Sequence, residues 1–157
     1  MRLIHYSQNN KLLCIVFKIV FLLIAKNREN LTMIYCCGCG KKIEEQYVRG
    51  DKIYPHRTDF NDLWFAVCPH CHLYTGCHKG TKNPMGVIPT KEMRYARHKI
   101  HELIDPVWKS GKIKRRKLYK MISEELGIKQ YHTGWTRSIE ECRKVWVACR
   151  KVLIKIK

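Results

Sequence analysis

The sequence predicts an α+β chain: a small, cysteine-rich segment of short β-hairpins followed by a module of three helices. Three observations carry this expectation. Two Cys-x-x-Cys pairs fall within residues 36–71. The residues around them are rich in glycine and other turn formers and hold no long periodic run. From Thr90 onward, apolar residues recur at spacings of three and four. The expected boundaries are therefore residues 33–89 for the hairpin segment and 90–157 for the helices.

In the first segment, "KIEEQYVRGDKIYPHR" reads as a hairpin with Arg49, Gly50 and Asp51 at its turn. Tyr47, Val48, Ile53 and Tyr54 would form its two arms. "DLWFAV" is a short aromatic strand running into Cys68, and "GTKNPMGVIP" is a loop. In the second segment, Met93, Ala96, Ile100, Leu103, Ile104 and Val107 define a helix that Pro106 is expected to stop. A second helix spans about residues 113–126, with Leu118, Met121, Ile122 and Leu126 inward and Gly127 as its stop. The third begins at Ser138, where Glu141 completes a capping box. Its buried stripe is Ile139, Cys142, Val145, Trp146, Cys149, Val152 and Leu153.

Nine cysteines, an odd number grouped in C-x-x-C pairs beside histidines, suit a metal better than a disulfide framework. Metal-binding thiolates need a reducing compartment, which points to the cytoplasm. Cys36 and Cys39, followed by Gly40, form one knuckle; Cys68 and Cys71 form another after a strand. In a knuckle the backbone turns tightly so that both thiolates face one ion, and a glycine after the second cysteine relieves the turn. Two knuckles supply four thiolates, a closed tetrahedral shell for one structural Zn2+, so the segment is a zinc ribbon. Four thiolates also suit an iron–sulfur centre, although nothing in the sequence favours one. The 28 residues between Cys39 and Cys68 leave room for a hairpin. Cys37 is a neighbour rather than a ligand, because Cys36 has the two-residue gap. Cys77 and His78 admit three placements: in the same shell, in a second site with His56, or packed on the ribbon.

The 31 lysines and arginines exceed the 13 acidic residues and give a formal net charge of +18. Such an excess favours a polyanionic partner, DNA or RNA, or an anionic membrane surface. The densest basic cluster is Lys112, Lys114, Arg115, Arg116, Lys117 and Lys120, at the expected start of the second helix. Trp108, Tyr119 and Trp135 lie nearby as candidate stacking partners for bases. Arg94, His98, His101 and Asp105 share one face of the first helix. With His132 they are the candidate acid/base or second metal cluster of a metal-dependent nuclease; the simpler alternative is a polar helix face. No paired carboxylates, nucleophile elbow or phosphate-binding glycine loop appears elsewhere.

Residues 1–32 differ from the rest. "LLCIVFKIVFLLIA" is apolar except for Lys18, yet shorter than the roughly 20 residues a bilayer span needs. It is compatible with a signal or membrane anchor, although no small-x-small cleavage site follows it. The alternative is that translation starts at Met33 and the preceding residues are upstream sequence. Arg28-Glu29 can be encoded by a purine-rich run of the ribosome-binding kind at a workable distance from Met33.

The stretches "CCGCG", "CPHCHLYTGCHKGT", "NPMG", "MRYARHKIHELIDPVW", "RRKLYKMISEELG" and "YHTGWTRSIEEC" cover most of residues 33–145. In combination they resemble the zinc-finger-containing domain family of unknown function found in phages, prophages and bacteria. Met85 stands where that pattern has leucine, and residues 1–32 have no counterpart in it. The resemblance implies a zinc ribbon followed by helices and brings no established activity. The expectation is thus a zinc-binding, nucleic-acid-binding accessory protein of phage or mobile-element type. A metal-dependent nuclease and a protein-binding adaptor are the alternatives.

Overall fold

The computed structural model describes residues 33–156, so both readings of residues 1–32 lie outside the described residues. Residues Met33–Lys157 form one compact unit. No helix among the described residues is long and apolar enough to cross a membrane.

The chain begins with a tight antiparallel hairpin of β1 (Ile34–Cys36) and β2 (Lys41–Ile43), with the first knuckle at its turn. A three-stranded antiparallel sheet follows, in the order β3 (Gln46–Arg49), β4 (Trp64–Val67) and β5 (Tyr74–Gly76). The second knuckle is the turn between β4 and β5. One expectation needs correction here: Ile53 and Tyr54 do not pair back onto Tyr47 and Val48. Arg49 is followed by the one-turn helix α1 (Gly50–Ile53), and the partner of β3 is β4, with Tyr47 opposite Ala66 and Val48 opposite Phe65. Burial decides the exchange. Phe65, Ala66 and Val67 are buried, and offer β3 an apolar partner that the exposed Asp51 and Lys52 do not. Gly50 makes the exit possible, because any side chain there would collide with the backbone of Phe60.

Helix α2 (Lys91–Lys109) is capped by Thr90, whose Oγ1 accepts the Met93 N–H at 3.3 Å. It passes through Pro106 rather than stopping there. A proline removes one backbone donor, and here it does so in the last turn, where a single hydrogen bond is at stake. Helix α3 (Arg115–Leu126) ends at Gly127, which adopts the left-handed conformation at φ 65°. Helix α4 (Ile139–Ile156) starts behind Ser138, whose Oγ accepts the Glu141 N–H at 3.1 Å. The Glu141 carboxylate reaches one residue further back than a capping box requires and accepts the Arg137 N–H at 2.6 Å.

The described residues build two apolar cores. Ile100, Ile104, Leu118, Ile122, Val145, Cys149 and Val152 join the three long helices. Ile34, Cys36, Ile43, Ala66, Cys68, Cys77 and Ile88 fill the ribbon. Trp146, expected inside the helical core, stands at its margin with 37% of its surface exposed, and Arg150 lies over its ring at 4.9 Å.

The two cores meet at residues 85–88 and 132–136. The Val87 N–H donates to the Gly134 carbonyl at 2.9 Å, and the chains approach so closely that a Cβ on Gly134 would sit 2.5 Å from the Met85 carbonyl. Arg97, only 9% exposed, donates from Nη1 to the Val87 carbonyl at 3.2 Å and from Nη2 to the Thr136 carbonyl at 2.5 Å. Its Nε also donates to Thr136 Oγ1, at 3.1 Å. This buried guanidinium forms no salt bridge among the described residues; carbonyls and a hydroxyl satisfy it instead.

Candidate metal centre

The two hairpin turns face each other and bring Cys36, Cys39, Cys68 and Cys71 together. All four Sγ atoms lie within 4.8 Å of one another. Across the two knuckles, Cys36 and Cys71 are 3.4 Å apart and Cys39 and Cys68 are 3.6 Å apart. A disulfide needs about 2.05 Å, so these are thiols and not bridges. A tetrahedron of sulfurs around Zn2+, with bonds of about 2.3 Å, has edges of about 3.8 Å. The two cross-knuckle spacings fall slightly short of that value and all the others stay within 4.8 Å, and the donor set is the one zinc prefers. The residues therefore fit one structural Zn2+.

Local backbone forces produce this geometry. Each knuckle places the residue after its second cysteine in the left-handed region: Gly40 at φ 67° and His72 at φ 58°. Glycine takes that conformation without cost, whereas histidine takes it under strain. In the second knuckle the His72 N–H donates to the Cys68 carbonyl at 2.9 Å, and the Cys68 N–H to the Leu73 carbonyl at 2.8 Å. In the first, Gly38 leaves space: a Cβ there would meet Leu73 Cδ1 at 2.5 Å and Cys71 Sγ at 3.3 Å. The loop before α2 braces this knuckle, with the Cys37 N–H donating to the Ile88 carbonyl at 2.9 Å.

The electrostatics of the four thiols are uneven. Burial pushes Cys36 up to about 12, with the Cys71 and Cys68 thiols adding to the rise. Cys39 is also raised, chiefly by its contacts with the Cys71 and Cys68 thiols. Cys68 is buried too, but the backbone N–H groups of Cys71 and His70, together with the Cys71 and Cys39 thiols, outweigh that burial and hold it at about 7. A divalent ion would turn this set into thiolates by displacing protons. With four protein ligands the shell is closed, so the centre is structural.

The other candidates are placed as follows. Cys37 is half-buried outside the shell, its thiol raised by burial and lowered by Arg97 and Arg137. Cys77 is buried in the ribbon core with its N–H on the Trp64 carbonyl, while His78 and His56 are exposed. The four-cysteine set is the only group of three or more metal-type side chains found among the described residues. Arg94 leaves the histidine face, stacks over Tyr74 at 4.2 Å and donates to the Tyr74 carbonyl. His98 pairs with Glu102 at 3.0 Å. His101 Nδ1 lies 3.3 Å from Asp105, whose carboxylate also takes Trp108 Nε1–H and Lys109. His132 turns inward: its Nδ1 accepts the Gly134 N–H, and burial, with Arg115 and His101 adding, lowers its pKa. The proposed acid/base residues are thus dispersed among separate partners, with only His101 and Asp105 in direct contact. The six cations Lys112, Lys114, Arg115, Arg116, Lys117 and Lys120 are all exposed, in and just before the first turns of α3.

Sequence reasoning missed Arg97. A charged residue beside the apolar stripe of α2 reads as solvent-facing, and only the loops around Val87 and Thr136 show why it is buried.

Two hairpin knuckles carrying four converging thiols define a zinc-finger protein of the four-cysteine ribbon kind. More particularly, the chain belongs to the zinc-finger-containing domain family, whose profile matches residues 32–152. No curated protein and no solved structure matches the chain significantly.

Proposed function

We propose that this protein is a cytoplasmic nucleic-acid-binding accessory protein, of the phage or mobile-element type, in which zinc holds the ribbon and α3 meets phosphates. The observation that carries this is the start of α3. Six exposed cations gather there, and the N-cap, Lys114, makes no side-chain capping bond; the Lys117 N–H donates to the Lys114 carbonyl at 2.9 Å, which leaves the Arg115 and Arg116 N–H groups for an anion. Helices commonly carry acids at this position; a run of cations is at odds with the helix dipole unless an anion joins them. Arg115 is held in place, with its guanidinium 5.3 Å from the Trp108 ring and 5.0 Å from that of Tyr119. The net charge of +18 adds long-range attraction.

Binding through phosphates releases counterions, so affinity should fall steeply as salt rises. Replacing Arg115 and Arg116 with glutamate should weaken binding and flatten the plot of log affinity against log salt by about two contacts' worth of slope. Fluorescence anisotropy with labelled DNA and RNA reads both. Salt-independent binding, or none to either polymer, would overturn the proposal.

A further inference from the structure

A second surface lies between α2 and α4. A groove of about 640 Å3 is lined by Lys91, Tyr95, Lys99, Arg143 and Trp146 among others. Two of these are aromatic rings that a folded chain would ordinarily cover: Tyr95 is 65% exposed and Trp146 37% exposed. Each carries a cation over one face, Lys99 Nζ at 5.4 Å from the Tyr95 ring and Arg150 at 4.9 Å from Trp146. The groove lining holds three cations and one carboxylate, Glu92. Glu92 belongs to the first turn of α2, where backbone N–H groups offset its charge. The acids nearest to the cations, Glu102 on Lys99 and Glu140 on Arg143, form exposed pairs that bind little.

We infer that this groove takes single-stranded nucleic acid, with Tyr95 and Trp146 stacking on bases and Lys91, Lys99 and Arg143 following the backbone. The inference rests on the nucleic-acid reading above and adds to it a second contact surface and a preference for unpaired strands. Aromatic faces can stack only on bases that are not already stacked within a duplex, and adjacent cations neutralise the phosphates between them. Cations from both helices flank the two rings, whereas a bilayer contact would call for a continuous apolar face. Tyr95 precedes Trp108 by 13 residues, about 20 Å along α2, so this surface is separate from the cations of α3.

The test compares the full chain with a Tyr95→Ala/Trp146→Ala variant and with Arg115→Glu/Arg116→Glu. The probes are labelled oligothymidine, a duplex of the same length, and anionic phospholipid vesicles. Losing two stacked bases should weaken oligothymidine binding at least about tenfold, while duplex binding stays within about twofold. The conservative Tyr95→Phe/Trp146→Tyr variant should restore most of the affinity, and an unfolding midpoint and duplex affinity unchanged in the alanine variant separate lost stacking from a structural fault. If the wild-type chain binds oligothymidine and the alanine variant binds it equally well, the groove is not the strand site, although the nucleic-acid reading stands. If the alanine variant loses only vesicle binding, the surface is a membrane contact and the inference fails. Absence of any binding by the wild-type chain would bring down both.

Discussion

His72 and Gly40 occupy equivalent places in the two knuckles, and the difference between them is a matter of strain. Both lie at positive φ, yet only the glycine is free of a Cβ clash. We predict that His72→Gly is neutral to within about 1 kcal/mol, because the strain it relieves offsets the chain entropy it adds. Gly40→Val should cost about 1–2 kcal/mol, measured by urea unfolding of the zinc-loaded protein. The thiols give a second prediction at this scale. Cys36 and Cys39 are raised, so near neutral pH they keep their protons until an ion displaces them. Proton release therefore favours binding as pH rises and opposes it as pH falls. Zinc affinity, followed by competition with a chelator, should climb by about two log units per pH unit around neutrality. A flat profile would mean that these two thiols are already ionised.

Among the elements, the ribbon and the helices are tied by a guanidinium rather than by apolar contact alone. Arg97 bridges the carbonyls of Val87 and Thr136, and burial holds its pKa below the usual arginine range. Arg97→Lys should destabilise the fold by about 2–3 kcal/mol, since an ammonium cannot span both carbonyls and the hydroxyl. A thermal shift near that of wild type would show that the bridge is dispensable. Elements are also where the sequence was legible and where it was not. The knuckles, the strand before Cys68 and the periodic faces of α2 to α4 depend on spacing within a few residues, and spacing is visible. The partner of β3 lies across an intervening stretch of loop and α1, and burial rather than local turn chemistry selects it. Pro106 misleads because helix-breaking depends on how many bonds remain beyond it. Trp146 falls on the apolar stripe by period but on its edge by packing.

For the whole molecule, the decisive fact is how little the ribbon core contains. Of the seven buried residues clustered around the knuckles, three are cysteines and only Ile34, Ile43 and Ile88 are large aliphatics, while the buried Phe65 packs instead with Tyr54, Phe60 and Tyr74. A segment with so thin a core needs a cross-link, and four converging thiols supply one when they share an ion. The helical core is larger and draws on all three long helices, which is consistent with a platform that presents cations and aromatic rings while the ribbon is held by metal. Spacing alone named the four thiols. The contact between the Gly86 and Gly134 segments was beyond its reach, because the two glycines are 48 positions apart and their near collision is visible only in three dimensions.

The zinc centre is the claim on which the rest depends, and the mass of the native protein under non-denaturing conditions tests it most directly. The expected result is one zinc ion per chain, and loss of that ion in a Cys39→Ser/Cys71→Ser variant. A metal-free chain with disulfides among Cys36, Cys39, Cys68 and Cys71, or an ion retained by the double variant, would contradict it.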